Sequence, residues 1–208
     1  MKLEKSIREN KIVAILRKVP LNKTANYIET IYRGGIRLVE VALNSDDALL
    51  QIELIRSKYE GRIMVGAGTA ITTTLVQNAM SAGAQFLLTP SAGIDVLDYC
   101  ANSGIELLPG VMTPTDVATC FKFGFKTLKL FPAGDLPPTY IKSLNGPFSD
   151  ANFVAVGGVN AENITEFLKR GFIGVGIGNG LIPQEFLQNN DWDKALLHVT
   201  ELVNRIVK

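Results

Sequence analysis

The chain has 208 residues, 47% hydrophobic and 20% charged, with a formal net charge of +1. That is enough apolar material for one buried core in a single α/β domain, and it offers no basic face that would favour nucleic acid as a partner. A small anionic ligand stays open, because a site can be locally positive in a neutral protein.

Residues 1–11 are charged and start no apolar run, so no signal peptide is expected. No apolar stretch reaches the ~18 residues of a spanning helix, and no membrane contact is expected. Cys100 and Cys120 stand in no Cys-x-x-Cys pattern. That argues against a metal or redox role and for a reducing, cytoplasmic setting.

Short apolar runs alternate with amphipathic ones. Ile12–Leu16 reads as a first strand, followed by a helix over Thr24–Arg33 capped by Asn22. Leu38–Leu43 is the second strand, with a helix over Asp46–Lys58 behind Ser45. Ile63–Gly66 precedes a helix over Thr72–Ala82, Phe86–Thr89 one over Asp95–Asn102, and Glu106–Leu108 one over Thr115–Phe123. Thr127–Phe131 pairs with Pro138–Leu144 and Asn152–Val156 with Glu162–Arg170. Gly174–Ile177 leads to a closing helix over Asp193–Val207. The glycines Gly34, Gly35, Gly61, Gly83, Gly104, Gly124 and Gly171 fall where left-handed helix ends are expected. Eight strands, each followed by a helix at a spacing of roughly 20–26 residues, predict a (β/α)8 TIM barrel with residues 1–208 as one domain. An open flavodoxin-like sheet would usually stop at about five strands.

In such a barrel, active sites lie at the C-terminal ends of the strands. Side chains alternate along a strand, so in Thr127–Phe131 the residues Leu128 and Leu130 face the helices while Lys129 and Phe131 face the interior. An interior lysine is costly when charged, and desolvation makes its amine a nucleophile toward carbonyls. The same alternation turns Glu40, Ala42 and Asn44 inward and Val39, Val41 and Leu43 outward. An inward amine and an inward carboxylate suit carbanion chemistry, the amine as electron sink and Glu40 as general base and acid. A buried Glu40–Lys129 ion pair is the structural alternative. Gly157 and Gly158 follow the seventh strand, and Gly178 and Asn179 the eighth. Glycines in those two loops form the usual phosphate cradle of the fold, although glycine also serves plain turns. Arg17 ends the first strand, placed to hold a carboxylate bidentately or to sit in a rim ion pair. Gly66-Ala67-Gly68-Thr69 ends the third strand with small residues and a hydroxyl. Thr89-Pro90 ends the fourth. His198 is the only histidine, so a histidine metal site is not expected.

At these residues the chain resembles the bacterial 2-keto-3-deoxy-6-phosphogluconate (KDPG) and 4-hydroxy-2-oxoglutarate (KHG) aldolases, together with their phosphogalactonate relatives. Val-Glu-Val-Ala-Leu-Asn-Ser, Val-Gly-Ala-Gly-Thr, Leu-Pro-Gly-Val-Met-Thr-Pro, Leu-Lys-Leu-Phe-Pro and Val-Gly-Gly-Val carry the likeness, in that order, across roughly residues 10–183. The resemblance implies a class I, Schiff-base aldolase that cleaves a 2-keto-3-deoxy sugar acid, a 6-phosphate by preference, to pyruvate and an aldehyde. It implies Lys129 as the imine lysine and Glu40 as the proton carrier. Thr69 would lie near the pyruvyl carboxylate, and Pro90 and Phe131 in the pocket. Gly157, Gly158 and Gly178 would hold the phosphate. It further implies no cofactor, no metal, a homotrimer and a place in sugar-acid catabolism of the Entner–Doudoroff kind.

Three positions depart from the family pattern. Asn44 stands where many members carry the carboxylate-binding arginine, which Arg17 on the adjacent strand could replace. Asn179 stands for a serine, and Val156 for the threonine of many gluconate enzymes. Leu43-Asn44-Ser45 and Ala155-Val156-Gly157-Gly158 look more like the phosphogalactonate branch, and Leu-Pro-Gly-Val-Met-Thr-Pro and Asn145-Gly146-Pro147-Phe148 more like the gluconate branch; the expected preference is the phosphogalactonate, with the phosphogluconate epimer also accepted. Two alternatives stay open: a phosphosugar epimerase or isomerase on the same barrel, and a barrel that binds a sugar acid without catalysis.

Overall fold

The computed structural model describes residues 2–206. It opens with a helix, α1 (Lys2–Asn10), that the sequence reading did not anticipate. Strand β1 (Ile12–Leu16) follows, then α2 (Leu21–Arg33), β2 (Leu38–Ala42), α3 (Ala48–Tyr59), β3 (Met64–Gly68) and α4 (Thr73–Ser81). Next come β4 (Leu87–Leu88), α5 (Ile94–Asn102), β5 (Leu107–Leu108), β6 (Gly110–Val111) and α6 (Pro114–Lys122). The chain continues through β7 (Thr127–Leu130), α7 (Tyr140–Asn145), β8 (Asn152–Val156), α8 (Ile164–Lys169), β9 (Gly174–Ile177), α9 (Gln184–Asn189) and α10 (Trp192–Asn204). The expected end of the last helix at Val207 lies outside the described residues.

All strands pair in parallel, in the order β5-β4-β3-β2-β1-β9-β8-β7-β6. The two edge pieces, β5 and β6, are halves of one strand interrupted at Pro109, which has no N–H to give to a ladder. The β5 half pairs with β4 and the β6 half with β7. The ladder therefore returns to the strand it started from, and the sheet is a TIM barrel whose fifth strand is broken. Lys129 and Thr89 stitch the break. The Pro109 carbonyl accepts from the Lys129 amide at 2.8 Å. The Thr89 hydroxyl accepts from the Gly110 amide at 3.1 Å and donates to the Ser91 carbonyl at 2.7 Å.

Alternation along each strand creates two apolar layers. Val39, Val41, Leu128 and Leu130 pack outward against the helices. Val13, Ile15, Leu38, Phe86, Leu88, Leu108, Val154 and Val156 fill the interior. Leu3 and Ile7 of α1 belong to that interior cluster and are fully buried. They plug the N-terminal mouth of the barrel, at about 1.5–3 kcal/mol of burial each. Glu4 anchors the plug by accepting from the Thr127 hydroxyl at 3.0 Å and from Asn152 Nδ2 at 3.3 Å.

Several helix starts differ from expectation. Asn22 lies inside α2, and Pro20 precedes that helix. Pro pre-sets φ and has no N–H to satisfy, so the helix begins without a polar cap. Ser45 does not cap α3; Asp47 occupies that place without a side-chain bond. Instead the Ser45 hydroxyl accepts from the Lys18 amide at 3.0 Å. Thr72 does cap α4, and Thr113 closes a reciprocal capping box with Asp116. Of the glycines expected at helix ends, Gly34 is right-handed (φ −70), while Gly35 carries the positive φ, +102.

Candidate active site

Glu40 lies in the middle of β2, in register with Ile15 on β1 and Gly66 on β3. It points into the barrel and is 1% exposed. Its Oε2 has no hydrogen-bond partner among the described residues. Burial pushes this carboxyl above its ordinary range, and the positive charges of Lys129 and Arg17 pull it part of the way back. Gly68 makes room for it. A Cβ at position 68 would fall on Glu40 Oε1 and lie 2.8 Å from its Cγ. The sequence reading assigned Gly68 to close ligand approach; its nearest demand is the neighbouring carboxylate.

Lys129 lies in β7, opposite Gly110 and Val154, and is 5% exposed. Desolvation lowers its amine from the ordinary lysine value, the Glu40 charge opposes that, and the Arg17 charge adds to it. Its Nζ lies 5.0 Å from the centroid of the Phe131 ring. Lys129 and Glu40 influence one another as charges and share no hydrogen bond, so the buried ion pair weighed from the sequence does not form. The barrel therefore holds a desolvated amine and a desolvated, unpaired carboxylate, each costly to folding and each shifted toward neutrality.

Arg17 leaves the end of β1 exposed at the mouth, the one charge felt by both buried groups apart from themselves. The tie from Ser45 to the next residue, Lys18, holds this loop against the end of β2. A cavity of about 430 Å³ opens beside Arg17. Phe131, Val156, Gly157, Gly158, Gly178 and Asn179 line it, together with Ile15. Ile15 is in register with Glu40, and Phe131 lies beside the Lys129 amine, while neither buried group itself lines the cavity. Thr69, in the left-handed region at φ +62, and Pro90 are half-buried at the ends of the third and fourth strands. Asn44 is exposed in the turn after β2. These three share the mouth but are not in the wall of that cavity.

The shape of the glycine loop is set by residues outside the glycines themselves. Gly157 and Gly158 both have positive φ, +88 and +72. The Gly134 amide, in a 3-10 turn after β7, donates to the Gly157 carbonyl at 2.8 Å. A Cβ on Gly134 would come within 2.8 Å of Gly158 Cα. Asn163 Nδ2 donates to the Gly158 carbonyl at 2.8 Å, and Asn160 Oδ1 accepts from the amides of Glu162 and Asn163. The signal in the sequence was Asn-x-x-Asn directly after Gly-Gly-Val. His198 lies on α10, and among the described residues no group of three His, Cys, Asp or Glu side chains converges.

Residues 3–197 match the family described as KDPG and KHG aldolase. The chain belongs to that family. It is 31% identical over 171 residues to the 2-dehydro-3-deoxy-6-phosphogalactonate aldolase of Escherichia coli strain K12, covering 82% of this chain and 83% of that one. It is 32% identical over 192 residues to the 2-dehydro-3-deoxy-phosphogluconate aldolase of Pseudoalteromonas atlantica, covering 91% and 83%. Among solved structures, the KDPG aldolase of Legionella pneumophila, with pyruvate captured as a covalent carbinolamine intermediate, superposes with a TM-score of 0.87 at 26% identity. That match covers 96% of this chain and 97% of the other. The protein is a class I aldolase, a carbon–carbon lyase. No described helix is long and apolar enough to cross a membrane.

Proposed function

We propose that this aldolase reversibly cleaves a 6-phosphorylated 2-keto-3-deoxy sugar acid, and 4-hydroxy-2-oxoglutarate as a lesser substrate, to pyruvate and an aldehyde such as glyceraldehyde 3-phosphate. The observation that carries the reading is the unpaired, desolvated couple of Lys129 and Glu40 inside one barrel. The neutral Lys129 amine adds to the C2 carbonyl, a proton taken up from solvent lets the carbinolamine hydroxyl leave as water, and the imine that remains is cationic, an electron sink. The Glu40 carboxylate takes the proton from the C4 hydroxyl. The C3–C4 bond breaks, the aldehyde leaves, and the electron pair passes into the imine to give the enamine of pyruvate. Glu40 then returns its proton to C3, and water hydrolyses the imine. Arg17 holds the substrate carboxylate, with Thr69 and Asn44 beside it. Phe131 walls the pyruvyl end, with Pro90 beside it at the mouth, and Gly157, Gly158, Gly178 and Asn179 take the phosphate on backbone amides and one side-chain amide. No metal or cofactor takes part.

The phosphogalactonate is the preferred epimer and the phosphogluconate is also accepted, because Val156 relaxes any preference for the gluconate configuration. This valine lines the cavity with methyl groups where a threonine would offer a hydroxyl for one C4 configuration. A homotrimer of single-domain chains is supported by Leu49, Leu50, Ile71, Ile94 and Met112, exposed apolar residues on successive elements of one flank. A structure 28% identical, with a TM-score of 0.81, is a cage built by fusing symmetric oligomeric domains. The two free, buried cysteines fit a reducing cytoplasm. Incubation with pyruvate and borohydride, then digestion and mass mapping, tests the mechanism: the pyruvyl adduct belongs on Lys129. An adduct on Lys126 or Lys142 instead removes the assignment.

A further inference from the structure

A second cavity, of about 180 Å³, lies behind Arg17 between the β1–α2 loop and the segment that follows β9. It shares Ile15, Arg17, Gly178 and Asn179 with the substrate cavity, so Arg17 stands in a wall common to both. Lys18 and Lys23 add two further cations to its lining, and no carboxylate lines it. Among the described residues none of these three cations is in an ion pair. Lys23 has a fixed post: its Nζ donates to the Leu187 carbonyl at 2.6 Å and clamps the end of α9 over the cavity. Tyr27 lines the same space and is 3% exposed, and among the described residues its hydroxyl has no hydrogen-bond partner. Gln184 offers an amide beside it. The Tyr27 hydroxyl is not among the fully enclosed side-chain atoms that lack a partner, so it opens onto the cavity, where water or an anion can bond it. At about 30 Å³ per water, the space holds roughly six waters, or one small anion with its remaining hydration.

We infer that this side cavity is a second anion site, for a phosphate or carboxylate of three carbons or fewer, held by Arg17, Lys18, the Tyr27 hydroxyl and Gln184. An anion there draws on the Arg17 guanidinium from behind and competes with the substrate carboxylate for it. The occupant thus weakens keto-acid binding without entering the catalytic cavity. The competition rests on the proposed role of Arg17; the site itself does not.

The test is a titration of 15N-labelled protein with inorganic phosphate, and in parallel with malonate, followed through the amides of Lys23 and Tyr27. These amides will saturate on an isotherm separate from that of Gly157 and Gly158. Tyr27→Phe, which keeps the ring and the packing, will weaken that isotherm at least tenfold, about 1.4 kcal/mol, and leave the glycine isotherm in place. Whichever anion binds more tightly identifies the headgroup. Absence of a saturable shift at Lys23 and Tyr27, or an isotherm that Tyr27→Phe leaves unchanged, overturns the site. Phosphate will raise the KM for pyruvate in the native enzyme and not in Tyr27→Phe, whose kcat without phosphate stays native. A filled site with an unmoved KM overturns the Arg17 coupling and the Arg17 assignment together, while the site stands.

Discussion

Adding one methyl group at Gly68 separates the role of Glu40 from the packing of the barrel. In Gly68→Ala the new Cβ falls on the Glu40 carboxylate, 2.8 Å from its Cγ, so the side chain must leave its place. Gly66→Ala adds the same methyl two residues earlier on β3, where the three atoms nearest to it belong to the Phe86 ring, at 2.5–2.6 Å. Both variants overpack the interior, and each should lose about 1–3 kcal/mol of stability. Only Gly68→Ala should lose the proton transfer. General acid–base catalysis contributes about 10²–10⁴-fold, or roughly 3–5 kcal/mol of barrier at 1.36 kcal/mol per decade. The assays are borohydride trapping of pyruvate on Lys129, and deuterium exchange into the pyruvate methyl group followed by proton NMR. Trapping should persist in both variants. Exchange should fall at least 10²-fold in Gly68→Ala and stay within about threefold of native in Gly66→Ala, the difference being the acid–base contribution. Equal losses in the two variants would show that packing, not the position of Glu40, controls the rate.

Arg17→Ala should raise the KM for pyruvate sharply. Its charge lowers both buried groups, so its removal raises both: the acid limb of kcat/KM, which needs ionised Glu40, should move to higher pH. Arg17→Lys should hold the limb in place without restoring KM, because a lysine keeps the charge but not the bidentate fork; an acid limb unmoved in Arg17→Ala contradicts the coupling. Lys129 is depressed in the folded state, so between its folded pKa and 10.5 the unfolded chain binds the extra proton and native stability climbs as pH rises. Lys129→Met should abolish activity and flatten that climb, measured by urea unfolding at pH 7 and pH 10; a parallel climb in the variant would place its source elsewhere. Val156→Thr should shift kcat/KM toward the phosphogluconate. A native preference of more than about tenfold for that epimer, roughly 1.4 kcal/mol, refutes the galacto assignment.

The strand order and the two central side chains were legible because they rest on local periodicity. Alternation within Leu38–Leu43 and Thr127–Phe131 is enough to turn Glu40 and Lys129 inward, whatever lies across the barrel. Other features depended on residues far apart in the chain. Helix α1 carries only Leu3 and Ile7 as its apolar pair, and the open mouth they plug exists only once the barrel has closed. The fifth strand reads as one run, and its break is set by Pro109 at a point where two different neighbours compete for its halves. Asn22 and Ser45 have the chemistry of caps, yet Pro20 starts one helix and Ser45 is drawn off to the Lys18 amide. Gly68 is small because a carboxylate from the adjacent strand needs the volume. The side cavity is the furthest from the sequence: Lys23 closes it through a carbonyl 164 residues away. Periodicity specifies which way a side chain faces; only the assembled backbone specifies what it meets there.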